Sequence, residues 1–141
     1  EEMSSGSFSE IIDDPDANPK DIDSLVLCSG KIYYEMKQKA QEMMVKNMAF
    51  VRIEQLYPWP EIQLKKIRDK YKVKNLIWAQ EEPANMGVWT HVAMKLRNEN
   101  IIGICRPASA ASAEGSKNLH EKRLELLFQE IFSYSDKTLK K

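Results

Sequence analysis

The sequence predicts an α/β protein, a three-layer α/β/α sandwich around a mostly parallel sheet, and three observations carry that expectation. Four short runs, Leu25-Val26-Leu27-Cys28, Ala49-Phe50-Val51-Arg52-Ile53, Asn75-Leu76-Ile77-Trp78-Ala79 and Ile101-Ile102-Gly103-Ile104-Cys105, have strand character. They alternate with four stretches whose apolar residues recur at helical spacing, which is the rhythm of parallel βα units. The runs are also apolar nearly throughout, so each strand must be covered on both faces. With 141 residues the chain can bury one core, and a single domain is expected.

The elements follow in order. Residues 1–24 are polar, and Asp13-Asp14-Pro15-Asp16 and Asn18-Pro19 break any helix, so this segment reads as an extended linker leading into the domain. The compact part is expected over 25–135, with a disordered tail over 136–141. The first helix is expected over 31–46, with Ile32, Met36, Ala40, Met43 and Met44 on one face as core packing rather than as a metal site. The second is expected over 60–71, with Pro60 able to stand in its first turn. The third spans 86–98. The fourth spans 117–133 and presents Leu119, Leu124, Leu127, Phe128 and Ile131 to the core.

Composition narrows the function. The 21 basic and 21 acidic residues cancel, so the net charge supplies no field for nucleic acid or an anionic membrane, and neither is expected as a partner. No apolar run approaches the ~18 residues of a membrane span. The start, Glu1-Glu2-Met3-Ser4-Ser5-Gly6-Ser7, has neither the basic nor the apolar region of a signal peptide and reads as a cut within a larger protein. Cys28 and Cys105 each lie in an apolar run, the pattern of buried free thiols in a reducing compartment, the cytosol or an organelle matrix.

In open parallel sheets ligands collect at the carboxyl ends of the strands, where helix amino termini and loop donors converge. At the first end, Ser29, Gly30 and Lys31 form a tight turn able to hold an anion, or Ser29 simply caps the helix while Gly30 permits the turn. The glycine spacing of a nucleotide-binding loop is missing. At the second end, Pro58 and Pro60 stiffen a loop that projects Tyr57 and Trp59, either toward a protein partner or as a cap on the domain's own end. At the third, Glu81 and Glu82 are neighbours in a strand and face opposite ways, so they cannot act as one acid and base pair. One of them is expected to pair with Arg52 or Arg106, and Glu82 with Trp89 is a candidate for interface contact. The fourth end is a long loop of small residues ahead of a helix that Ser116 can cap. There Arg106, Ser109, Lys117 and His120 form the best candidate anion site, set against the plainer reading of a capped helix with solvated charges. No cluster has metal-ligand spacing and no serine lies in a nucleophile elbow, so no catalytic, cofactor-binding or metal-binding residue is expected within this chain.

The same four strand ends carry a resemblance. Leu27-Cys28-Ser29-Gly30-Lys31-Ile32-Tyr33-Tyr34, Val51-Arg52-Ile53-Glu54-Gln55-Leu56-Tyr57-Pro58, Gln80-Glu81-Glu82-Pro83-Ala84-Asn85-Met86-Gly87 and Arg106-Pro107-Ala108-Ser109-Ala110 resemble, in the same order, the carboxy-terminal domain of the 2-oxoglutarate dehydrogenase first component. Phe8-Ser9-Glu10-Ile11-Ile12-Asp13-Asp14 is similar to the segment entering that domain. The stretch between Trp89 and Ile101 is shorter than in many relatives, which puts any effector contact made there in doubt.

The resemblance implies a transketolase-type carboxy-terminal domain. It belongs to an enzyme of the tricarboxylic acid cycle that decarboxylates 2-oxoglutarate with thiamine diphosphate and magnesium, both held by other domains. The succinyl group then passes to the lipoyl arm of a multienzyme complex. Implied partners are the preceding domains, a sister subunit of a homodimer and the dihydrolipoyl succinyltransferase component. The implied location is cytoplasmic in a bacterium or the mitochondrial matrix. Two readings follow: a structural and docking domain inactive by itself, and a nucleotide or coenzyme A sensor using Ser29, Lys31, Arg106, Lys117 and His120. A third, a free-standing small hydrolase using Cys28 or Glu82, rests only on their strand-end placement.

Overall fold

The computed structural model describes residues 8–111 and 115–135. Five strands and four helices run in the order β1 (Ile11–Ile12), β2 (Ser24–Cys28), α1 (Ile32–Glu42), β3 (Met48–Ile53), α2 (Glu61–Tyr71), β4 (Asn75–Pro83), α3 (Trp89–Lys95), β5 (Ile101–Arg106) and α4 (Lys117–Ser133). The sheet order is β1-β3-β2-β4-β5. β2 to β5 are parallel, and β1 runs antiparallel along β3, with Ile11 opposite Ile53. The expected α/β sandwich is therefore present.

Alternation along the strands sorts the core into two halves. Val26, Cys28, Phe50, Ile77, Ala79 and Ile104 face one way and pack under α1 and α4. Leu25, Leu27, Val51, Ile53, Leu76 and Trp78 face the other and pack under Leu64 and Tyr71 of α2, Val92 of α3 and Leu96 just after it. The two thiols follow the same division. Cys28 and Cys105 are free, on strands separated by β4, and pack into opposite halves.

Two expectations change. The methionine stripe ends early, because α1 stops at Glu42 and Met44 takes a left-handed turn at φ 54°. Val45 N then donates to Ala40 O at 2.9 Å and Met44 N to Gln41 O at 3.1 Å, the double bond of a Schellman stop. Met36 is buried in the core while Met43 and Met44 are exposed, and Val45 turns back onto the core in their place.

The polar approach expected as an extended linker over 1–24 is, over 8–24, docked on the domain. Asp14 is buried and accepts from Phe50 N at 2.9 Å and Lys37 Nζ at 2.7 Å. Asp13 accepts from Lys70 Nζ at 2.6 Å and Tyr71 Oη at 2.8 Å, and Ile22 is buried. Carboxylates that look solvated in sequence instead satisfy a β3 amide at Phe50 and side-chain donors of α1 and α2. The tail over 136–141 lies outside the described residues.

Candidate functional site at the carboxyl ends of the strands

The connections leaving β2 and β4 turn to opposite faces of the sheet, so the crevice between those strand ends is the topological switch point, where α/β sheets hold ligands. Gly30 makes the turn out of β2 possible with φ at 75°. That turn presents Lys31 to the crevice. Lys31 Nζ bonds Glu35 Oε1 at 3.1 Å and lies 2.9 Å from Glu81 Oε1 at the end of β4, a contact off the hydrogen-bonding direction of that oxygen. Glu81, and secondarily Glu35, holds the Lys31 ammonium above its ordinary pKa against the opposing pull of desolvation.

The backbone of Glu81 is held as well. Arg106, buried at the end of β5, donates from Nε to the Glu81 carbonyl, and Ala84 N donates to Arg106 O at 2.9 Å. One residue further on, Asn85 and Ser109 exchange two bonds between the loops after β4 and β5. The carboxylate expected to meet Arg52 or Arg106 thus meets Lys31, while Arg106 takes the carbonyl of the same residue. Arg52 pairs with Glu54, donates to the Tyr34 hydroxyl, and its Cζ lies 5.0 Å from the centroids of both the Tyr33 and Tyr34 rings.

The expected anion cluster is only partly assembled. Lys31 and Arg106 converge on Glu81, and Ser109 joins Asn85. Ser29 is half-buried, and Lys31 rather than Ser29 occupies the cap position of α1, with no side-chain cap bond. Lys117 is exposed and, among the described residues, pairs only with Glu121, at 3.7 Å. His120 is half-buried on the first turn of α4, where Ser116 is extended and its side chain does not cap. Residues 112–114 of the intervening loop lie outside the described residues.

The candidate interface residues also divide. Tyr57 is 83% exposed and Glu82 is exposed. Trp59 is half-buried, its ring 5.9 Å from that of His91, whose Nε2 lies 3.1 Å from Leu56 O. It packs against the domain's own core on one side. Trp89 lies flat on β5, where a Cβ on Gly103 would come within 2.4 Å of its Cζ2.

Sequence reasoning passed over Gln80. It is buried and accepts from Trp78 Nε1 at 3.0 Å and Trp89 N at 2.9 Å, while donating to Met86 O at 2.8 Å. It thereby shapes the turn at Gly87, whose φ is 64° and whose added Cβ would meet Gln80 Nε2 at 2.9 Å. The signal was available, since a lone amide ending an apolar strand has to find partners.

The cysteines are placed for packing. Burial pushes the Cys28 thiol up to about 12, with Arg52 pulling it down less strongly. Cys105 is likewise raised to about 12 by burial and by Glu130 and Glu82. Neither supplies a ready thiolate near neutral pH. Among the described residues no three His, Cys, Asp or Glu side chains cluster as metal ligands, and no helix is long and apolar enough to cross a membrane.

Comparison with known proteins bears on the whole chain. The family described as 2-oxoglutarate dehydrogenase C-terminal matches residues 1–132. The 2-oxoglutarate dehydrogenase E1 component of Azotobacter vinelandii is 38% identical over 94% of this chain and 15% of its own length. The 2-oxoadipate dehydrogenase complex component E1 of Xenopus laevis is 36% identical over 84% of this chain and 14% of its own. The chain therefore spans about 15% of the length of such relatives. A solved structure titled "Split gene transketolase, inactive beta4 tetramer" matches in fold with a TM-score of 0.56 at 15% identity, covering 81% of this chain and 40% of that one.

Proposed function

Because this chain belongs to the 2-oxoglutarate dehydrogenase C-terminal family, we propose that it is the structural and docking domain of a thiamine diphosphate-dependent 2-oxo acid dehydrogenase, with no catalytic group of its own. The observation that carries this reading is the fate of the strand-end polar groups. At the place where such sheets hold ligands, Lys31 and Arg106 are both committed to Glu81, and Asn85 to Ser109. Strand-end groups that face one another in this way support a bracing role for these loops.

Among the described residues no three His, Cys, Asp or Glu side chains come together to hold magnesium. In this reading thiamine diphosphate and magnesium are both held by other parts of the enzyme, and decarboxylation of 2-oxoglutarate and succinyl transfer proceed there. Tyr57 and Glu82 are the exposed members of the interface set and face the preceding domains, a sister subunit or the dihydrolipoyl succinyltransferase component. The proposed location is bacterial cytoplasm or mitochondrial matrix. The alternative, a nucleotide or coenzyme A sensor, has weaker support, because Lys31 and Arg106 would first have to leave Glu81.

Calorimetric titration of the 141-residue chain with thiamine diphosphate and magnesium, alongside a decarboxylation assay, tests the proposal. No binding heat and no turnover are expected. Saturable binding of the cofactor would overturn it.

A further inference from the structure

The zero net charge conceals a strongly uneven surface. Residues 61–75, covering α2 and its exit, contain six basic residues, Lys65, Lys66, Arg68, Lys70, Lys72 and Lys74, against Glu61 and Asp69. Three of the six are matched inside the domain. Arg68 forms a two-bond pair with Glu99 at 2.5 Å, Lys70 meets Asp13 at 2.6 Å, and Lys74 meets Asp23 at 3.0 Å. Both lysine partners come from the acidic approach of this chain, so one flank of α2 already binds an acidic, irregular segment.

The outward side of the same layer carries more cations than acids, with Glu61 and Asp69 the exposed carboxylates on α2. Lys65, Lys66 and Lys72 are exposed, as are Lys95 and Arg97 at the end of neighbouring α3, and none of the five has a carboxylate within 4 Å among the described residues. Two large apolar side chains stand among them, Ile62 at 70% exposure and Met94 at 64%. Beside an excess of cations, these two exposed apolar side chains suit protein contact.

We infer that the outer face of α2 and α3 is a docking surface for an acidic segment of a partner protein, with cations meeting carboxylates and Ile62 and Met94 receiving apolar anchors. Charge complementarity selects this occupant, because the flank carrying Asp13 and Asp23 shows the chemistry that such a helix accepts. Permanent burial against an uncharged surface would strand five cations, whereas reversible docking of an acidic segment leaves the rim hydrated. The inference stands on surface charge and is independent of the enzymatic reading above.

The test is titration of the isotopically labelled 141-residue chain, at low salt, with a short synthetic peptide of alternating glutamate and leucine. A glutamine-for-glutamate peptide and oligothymidylate serve as comparators. Saturable amide shifts are expected at Ile62, Lys65, Lys66, Met94 and Arg97. They should weaken as salt is raised, and affinity should fall about tenfold in Lys65→Glu/Lys66→Glu/Lys95→Glu. The salt series on the unaltered chain reads the same interaction should that variant misfold. Equal response to the glutamine peptide, tighter binding of oligothymidylate, self-association through these amides, or no saturable shift would each overturn the inference.

Discussion

Asn85 and Ser109 hold each other by two hydrogen bonds between loops that leave different strands. Asn85 Nδ2 donates to Ser109 O at 2.9 Å, and Ser109 N donates back to Asn85 Oδ1 at 3.0 Å. Both bonds are exposed, so Asn85→Ala is expected to cost about 1 kcal/mol or less in global stability. Its larger effect should be local, with hydrogen exchange at the Ser109 amide accelerating while strand amides stay protected. An unchanged Ser109 rate would show that the clasp does not hold the loop.

Asp14 should be the most sensitive polar residue of the approach segment. It is buried and joins the Phe50 amide to the Lys37 ammonium. Lys37 keeps Asp16 at 2.9 Å, but the buried Phe50 amide loses its acceptor, so Asp14→Ala is expected to lower stability by roughly 1 to 3 kcal/mol. Urea denaturation would show a lower midpoint, and a shift of only a few tenths of a kcal/mol would mean that the segment is not integral.

Gly103 exists for Trp89. Because an added Cβ would approach the indole to 2.4 Å, Gly103→Ala should displace Trp89 and cost about 1 to 3 kcal/mol as an overpacked contact. Tryptophan emission should shift to the red as the ring gains water. Trp89→Leu in the same background should recover part of the loss, and failure of both signs would contradict the contact.

Alkaline pH should unfold the protein progressively. The resolved shifts at Cys28, Cys105, Lys31, Lys37, Tyr33 and Tyr71 are all upward. For Cys28, the folded thiol keeps its proton up to about 12 from an ordinary 9.0, chiefly because burial opposes the thiolate. Its contribution is complete below pH 9.0 and is lost as the pH rises toward 12, because the unfolded chain releases the proton first. Urea midpoints measured from neutral to strongly alkaline pH should fall, and Cys28→Ala should flatten that fall. An equally steep profile in the variant would assign the loss to the other groups.

Much of this architecture is written locally. The runs through Val26, Phe50, Ile77 and Ile104 are apolar on both faces and the intervening helices on one, so the layers follow from periodicity that any short window contains. The antiparallel strand Ile11–Ile12 escaped because two residues carry no period. Met43 and Met44 were placed in the core because their spacing continues the helix, whereas the left-handed turn at Met44 ends it.

The candidate site divides along the same line. Residue type and strand-end position marked Ser29, Lys31, Arg106, Ser109, Lys117 and His120 as polar groups at the place where such folds bind, passed over Asn85, and showed that Glu81 and Glu82 could not share one substrate. Only the tertiary structure decided that Lys31 takes the Glu81 carboxylate, Arg106 its carbonyl and Asn85 the Ser109 backbone. Those partners lie 50 residues apart for Lys31 and Glu81, and 24 for Asn85 and Ser109. Which of several polar groups is near enough to bond depends on strand order and register across the sheet, and side-chain spacing along one chain does not contain them.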